Sequence, residues 1–245
     1  MQGFDAQASH CKVLARWSAL VSWGSVALIG YALWNWGATE VRGQIHAVVF
    51  LTMLGGFWVA VSRSVFPWFG LCYVTDVGEG RNPAALVGLS GATLAAAIIY
   101  AAGGLGEGPS YWNNVFSAGL GTAVFFVLWF VLELGGCVSV SIAEERDAAS
   151  GTRFGAFTLA AGLILGRATA GDWHSESATL RDFIADGCPA GVLCLAAIPI
   201  EHLLRPSRAR PFPSWLGCGF LPALMYLGFA TAWVFHLGRW EGMPK

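Results

Sequence analysis

Residues 112–140 read WNNVFSAGLGTAVFFVLWFVLELGGCVSV, an apolar run whose single charged residue is Glu133. A helix that crosses the hydrocarbon core of a bilayer needs about 20 mostly apolar residues, because each residue rises only about 1.5 Å. This run is long enough to cross a membrane as one helix. It is too long for a buried strand or an ordinary core helix.

Six further apolar runs fill most of the remaining chain. They cover about residues 13–36, 45–72, 83–103, 153–170, 187–204 and 214–236. Hydrophobic residues make up 56% of the sequence and charged residues 12%, whereas a soluble domain carries about 25% charged residues. The sequence therefore predicts an all-α, polytopic integral membrane bundle of about seven transmembrane helices. Its main partner is the lipid bilayer, and a net charge of −1 gives no reason to expect nucleic acid.

The distribution of basic residues predicts an orientation. Lys12 and Arg16 precede the first run, and the loop 205–210 carries three arginines, whereas the loop 171–186 on the opposite side is rich in acidic residues. Loops rich in Lys and Arg stay in the cytoplasm. We expect a bacterial inner (cytoplasmic) membrane protein with a cytoplasmic N-terminus and an external C-terminus.

The chain resembles itself at an offset of 65 residues, when 70–99 is set over 135–164. The matched pairs are Gly70 with Gly135, Cys72 with Cys137, Glu79 with Glu144, Arg81 with Arg146, and Ala84 with Ala149. Because the polar turn matches in register, composition alone does not explain the similarity. Each unit contains two spans, so the repeat is parallel.

The repeat divides the chain into four parts. These are an N-terminal segment with the first helix (1–44), unit 1 (45–108), unit 2 (109–172), and an outer loop with two helices that form a degenerate third unit (173–245). In the two turns, Asn82 and Asp147 stand where a helix N-cap belongs. The following helices present small residues that let helix backbones approach closely in lipid, and we expect these to form the contact between units. They are Gly88, Gly91, Gly151, Gly155 and Gly162.

The turn and the small-residue helix resemble a known family. Two segments carry the resemblance, Glu79 to Ala97 and Glu144 to Gly166, with Gly171-Asp172 closing the second span. They are similar to the bacterial inner-membrane family called domain of unknown function 350. The resemblance covers about residues 45–172. It implies a multi-helix membrane core without established chemistry, sometimes suspected of a role in envelope stress. Departures are Asp147 in place of asparagine, Pro83 after the first cap, and an extra N-terminal helix.

Two charged residues inside the predicted spans are candidates for function. Arg63 lies in the second span and Glu133 in the fourth, at comparable depth, so the two could pair. Charged groups within a membrane are costly and often functional. One interpretation is a structural ion pair or an arginine that reaches toward the interface, and the other is a proton or cation site centred on Glu133.

Histidines and acidic residues give weaker alternatives. His46 and His236 both fall at outer span ends and could ligate a haem as axial ligands. Asp172, His174 and Glu176 could gather a divalent cation, but their alternate spacing is weak evidence and a solvated acidic loop explains them better. No cysteine pair has C-x-x-C spacing, so the cysteines predict neither a zinc site nor a redox motif. No metal or cofactor is expected.

The leading functional prediction is a non-enzymatic membrane subunit or scaffold of a bacterial envelope complex. The chain would form a homo-oligomer or join a larger assembly through small-residue helices. The alternatives are a small ion- or proton-conducting transporter that uses Glu133 and Arg63, and a haem-bearing electron-transfer subunit. No nucleotide-binding loop, nucleophile elbow or zinc-protease motif is present in the sequence.

Overall fold

A computed structural model describes residues 2–108, 110–207 and 213–238. This part of the chain contains helices and no strand. The seven long helices are α1 (Gln2–Trp36), α2 (Ile45–Val65), α3 (Pro83–Gly103), α4 (Tyr111–Gly136), α5 (Ala148–Thr169), α6 (Glu176–Leu204) and α7 (Leu221–Leu237). A 3₁₀ turn covers Phe66–Phe69, and π-helical turns cover Tyr73–Glu79, Val140–Glu144 and Trp215–Phe220.

In the described part of the chain, seven helical segments are long and apolar enough to cross a membrane, two of which include the adjoining 3₁₀ or π-helical turn. These segments are Arg16–Trp36, Ile45–Phe69, Pro83–Gly103, Tyr111–Gly136, Ala148–Thr169, Glu176–Leu204 and Trp215–Leu237. The predicted all-α membrane bundle with seven spans is confirmed. The bilayer is therefore the natural solvent for its exposed apolar side chains, among them Trp23, Met53 and Phe235, which are 71–80% exposed.

Helices α3 and α5 form the centre of the bundle. The most apolar window of each is 72% buried, against 22–39% for the other five spans. Helices α1 and α2 pack on the α3 side, α6 and α7 pack on the α5 side, and α4 contacts both central helices. The N-terminal helix is thus part of the same bundle as the two predicted units.

Glycines bring α3 and α5 into backbone contact. A Cβ added to Gly155 would lie 2.8 Å from the carbonyl oxygen of Val87, and one added to Gly162 would lie 2.6 Å from the Cα of Ala95. A Cβ on Gly91 would overlap the Gly155 backbone. The other two predicted glycines also meet the partner helix: a Cβ on Gly151 would overlap the Ala84 backbone, and one on Gly88 would lie 2.9 Å from the Phe154 side chain. The small-residue faces of α3 and α5 are therefore used inside the chain.

The bundle has two distinct ends. We call the end with residues 70–82, 137–147, 205–207 and 213–220 the turn end, and the end with residues 37–44, 104–108 and 170–175 the loop end. At the loop end, Glu107 accepts hydrogen bonds from Thr39 N and Thr39 Oγ1. Its own backbone NH donates to Asp172 Oδ1 (2.8 Å). These bonds link the loops that follow α1, α3 and α5.

The first two turns have the same local structure. Each contains a π-helical turn and an arginine with positive φ, Arg81 (φ 51°) and Arg146 (φ 55°). Each then ends in an N-cap: Asn82 accepts from the NH groups of residues 84 and 85, and Asp147 accepts from those of residues 149 and 150. This agreement concerns the turns, and the repeat as a whole stays a prediction.

Asn82 also connects the two turns. Its side chain is buried, and Nδ2 donates to the carbonyl oxygen of Ile142 (2.6 Å). Arg146 donates in the same region to the carbonyl oxygen of Arg81 (2.8 Å). An aspartate at position 82 would keep the cap but would replace this donor with a carboxylate that faces a carbonyl oxygen.

We expect Asn82→Asp to lower the free energy of unfolding by about 1–3 kcal/mol, because the buried Ile142 carbonyl loses its partner. The melting temperature in mild detergent should fall by roughly 2–12 °C. The matched control is Asn35→Asp, since the Asn35 amide makes only a local bond to the carbonyl oxygen of Tyr31. Equal shifts for both variants would contradict the linking role of Asn82.

The sixth helix begins earlier than the sequence suggested. The polar stretch 171–186 was expected to be a loop, but α6 begins at Glu176 after Ser175, whose side chain accepts from the backbone NH of Ala178. A more polar first part of the helix therefore precedes the apolar run, and it places Asp182 and Asp186 on a helix. The basic residues Arg208 and Arg210, and the side chain of Lys12, lie outside the described residues. The orientation and the degenerate third unit stay predictions.

Candidate functional site

The most buried charged groups are Arg153 of α5 and Glu201 of α6, at the turn end. Their side chains are 0% and 3% exposed, and Arg153 Nη2 lies 2.6 Å from Glu201 Oε2. A second bond joins Nε to Oε1 at 2.8 Å. Two parallel bonds of this length form the strong bidentate pairing of a guanidinium with a carboxylate. Arg153 lies about 8 Å along α5 from its first residue.

Other polar groups also accept hydrogen bonds from the Arg153 guanidinium. Nη2 also donates to Ser150 Oγ (2.9 Å), and Nη1 donates to the carbonyl oxygen of Cys218. Ser150 Oγ in turn donates to Asp147 Oδ2 (2.7 Å). The helix cap, the ion pair and the turn before α7 thus form one hydrogen-bonded network. Its geometry ties α5, α6 and α7 together at the turn end.

The structure does not pair Arg63 with Glu133. Arg63 donates to Ser18 and Ser22 of α1, and its guanidinium carbon lies 3.9 Å from the centroid of the Tyr73 ring. The predicted pair is not formed because α1 supplies the partners of Arg63. The sequence alone did not predict that α1 packs against α2. Burial raises the pKa of the Tyr73 hydroxyl, so the neutral ring persists as a cation–π partner.

Glu133 is bound by its own chain. Oε1 accepts from Ser139 Oγ (2.6 Å) and Oε2 accepts from Ser139 N (2.9 Å). The chain reverses between these residues at Cys137, which adopts a left-handed conformation (φ 48°). The Glu133 carboxylate therefore caps the start of the segment that follows α4 and ties that segment to the helix. The transport hypothesis loses the charged pair on which it was based.

The candidate haem ligands are not brought together. His46 is on α2, which packs on α1 and α3, whereas His236 is on α7, which packs on α5 and α6. Both side chains are exposed, and His236 contacts the Trp233 ring at 5.4 Å. Two axial ligands of one haem must face each other across the cofactor. This geometry gives the haem hypothesis no support.

A small polar cleft lies at the loop end between α4, α5 and α6. It measures about 60 Å³, and its wall includes Asn113, Ser117, Asp172, Asp182 and Asp186. The Asn113 amide nitrogen is buried and has no hydrogen-bond partner among the described residues. A volume of this size holds a few water molecules. The cleft is therefore suited to water or a small polar ligand.

The predicted cation ligands do not form a metal site. Asp172 accepts from the backbone of Glu107, and the exposed His174 ring contacts the Asp172 carbonyl oxygen. Among the described residues, no three or more His, Cys, Asp or Glu side chains are placed to hold a metal ion. Asp172 thus takes part in the hydrogen bonds that connect the loops at the loop end.

Sequence reasoning missed the Arg153–Glu201 pair. In the sequence, Arg153 stands at the start of one predicted span, and Glu201 stands beside His202 near the end of the next. The available signal was an acidic and a basic residue at the same end of two consecutive predicted spans. Such a pattern does not specify which faces of the two helices meet, and this information is needed to pair them.

No family model, no curated protein and no solved structure matches the chain. The family resemblance of the repeat turns therefore stays a prediction.

Proposed function

We propose that the protein is a non-enzymatic membrane subunit or scaffold of a bacterial envelope complex. The observation that carries the proposal is the use of charged groups within the spans as connectors between elements. Arg153 with Glu201 joins α5 to α6, and Arg63 joins α2 to α1. Charges that serve transport must instead exchange partners with a moving ion or proton.

The outer surface of the bundle supports assembly. A Cβ added to Gly24 of α1, Gly191 of α6 or Gly228 of α7 would have no described atom within 4 Å apart from the neighbouring backbone of its own helix. Small residues on a lipid-facing surface let a helix of another chain approach closely. Since the glycines of α3 and α5 are used internally, contacts with other chains would form through these peripheral helices.

The test is native mass spectrometry of the full chain, gently extracted from its own host membrane. We expect an assembly heavier than the 26.0 kDa of a single chain, either with further polypeptides or as a homo-oligomer of defined number. A strictly monomeric, partner-free protein would contradict the proposal.

A flux assay in proteoliposomes tests the transporter alternative. We expect no ion or proton flux above that of empty vesicles, with the natural chain and with Glu133→Gln alike. A flux that Glu133→Gln abolishes would favour the transporter over the scaffold, because the substitution removes the charge while keeping the size of the side chain.

A further inference from the structure

An apolar crevice lies on the side of the bundle where α1 and α7 flank the central pair. Its volume is about 370 Å³, within the range of ligand pockets. The floor comes from α3 and α5, with Ile98, Ala101, Leu163 and Gly166. Gly166 lacks a side chain there, and a Cβ would lie 2.9 Å from Ile98 Cγ2. The crevice is thus shaped for a slender apolar group.

The length of the crevice favours a lipid chain over a helix. Its lining extends from Leu28 to Trp36 along α1, which is about 12 Å of helix. One leaflet contributes about half of a hydrocarbon core of about 30 Å. A transmembrane helix would need a groove along the full thickness, whereas one acyl chain from the loop-end leaflet fits a groove of this length.

Arg167 lies at the loop end of the crevice and is the only charged group among the described residues that line it. Its side chain is 11% exposed. Within the described residues, the polar contacts of its side chain are all long: Gly238 O (3.4 Å), Ala170 O (3.4 Å), Leu237 O (3.5 Å) and Asp186 Oδ2 (3.7 Å). Ordinary N–H···O bonds measure 2.7–3.2 Å. The guanidinium therefore retains donor capacity for a stronger acceptor.

We propose that the crevice binds one phospholipid, with an acyl chain between α1 and α7 and the phosphate on Arg167. A guanidinium matches the geometry of phosphate oxygens and binds them in pairs. Tyr31 and Trp36 contact each other edge to face at the same end (ring centroids 5.6 Å apart), where aromatic residues suit the headgroup region. The shape of the crevice selects the acyl chain of the lipid, and the charge of Arg167 selects the phosphate of the headgroup.

The inference goes beyond the scaffold role and is independent of it. Bound lipid is counted on each chain, whereas assembly is measured from the total protein mass. A monomer that retains lipid would contradict the scaffold proposal and leave the lipid site intact. An assembly without lipid would contradict the lipid site and leave the scaffold proposal intact.

The experiment incubates the full chain, purified in mild detergent, with 1-palmitoyl-2-oleoyl phosphatidylglycerol and counts bound lipid by native mass spectrometry. We expect one lipid per chain to survive at activation energies that remove bulk lipid. Leu163→Trp, which fills the crevice, and Arg167→Gln, which removes the phosphate contact, should each reduce that species at least threefold.

Two matched substitutions serve as controls. Leu195→Trp adds the same ring on the exposed surface of α6, and Arg146→Gln removes an exposed arginine at the turn end. Both should keep the lipid. Three results would each overturn the proposal. They are no retained lipid in the natural chain, equal losses of lipid in the crevice and control variants, and a lipid-free dimer in which a second copy closes the crevice. The two crevice variants, Leu163→Trp and Arg167→Gln, change different residues. If one of them fails to fold, the other still tests the proposal.

Discussion

Replacing Arg153 with methionine is expected to lower the free energy of unfolding by about 3–5 kcal/mol. The side chains of Arg153 and Glu201 are almost completely buried, so the substitution leaves a carboxylate in the bundle without its countercharge. For a chain of this length the loss corresponds to roughly 6–20 °C in melting temperature. Thermal unfolding of the purified protein in mild detergent measures it.

The reciprocal variant, Glu201→Leu, should lose a similar amount, because it leaves a buried guanidinium. The double variant Arg153→Met/Glu201→Leu removes both charges and should regain most of the loss, since apolar side chains of similar volume can replace a buried pair. Arg146→Met is the control, an exposed arginine at the same end of the bundle. Additive losses in the double variant would mean that the two residues act independently.

The second large effect is expected for Gly91→Ala. The added methyl group would overlap the Gly155 backbone, and backbone cannot move aside as a flexible side chain can. Overpacking of this kind costs about 1–3 kcal/mol, and we expect the upper end because both helices are central. The melting temperature should fall by roughly 6–12 °C.

The same substitution at open positions provides the comparison. Gly24→Ala and Gly228→Ala add a methyl group that contacts only the backbone of its own helix among the described residues. The higher helix propensity of alanine should therefore leave stability unchanged or slightly raised. A melting temperature of Gly91→Ala equal to that of these variants would show that α3 and α5 are not in backbone contact.

The sequence was sufficient to predict the spans. Length and apolar composition decide whether a helix can cross a bilayer, and both are properties of one segment at a time. Local chemistry also suggested Asn82 and Asp147 as caps, because an N-cap depends only on the next three residues. The largest boundary errors are at α1 and α6, which begin at Gln2 and Glu176, because the first turns of both helices are too polar to resemble a span.

Contacts between helices were harder to predict. The sequence shows that Arg63 and Glu133 are charged and at comparable depth, but not which way each side chain points. Ser139 reaches Glu133 only because the chain reverses at Cys137, which no composition argument predicts. The Arg153–Glu201 pair depends on the relative rotation of α5 and α6, and packing of the whole bundle determines that rotation.

Our central proposal is that the buried Arg153–Glu201 pair holds the helices of the bundle together and has no role in assembly with other chains. Its most direct test is native mass spectrometry of the folded double variant Arg153→Met/Glu201→Leu, extracted from the host beside the natural chain. We predict the same assembly mass and the same partners for both proteins. A double variant that melts like the natural chain but loses its assembly would contradict the account, because the pair would then serve a purpose beyond holding the bundle together.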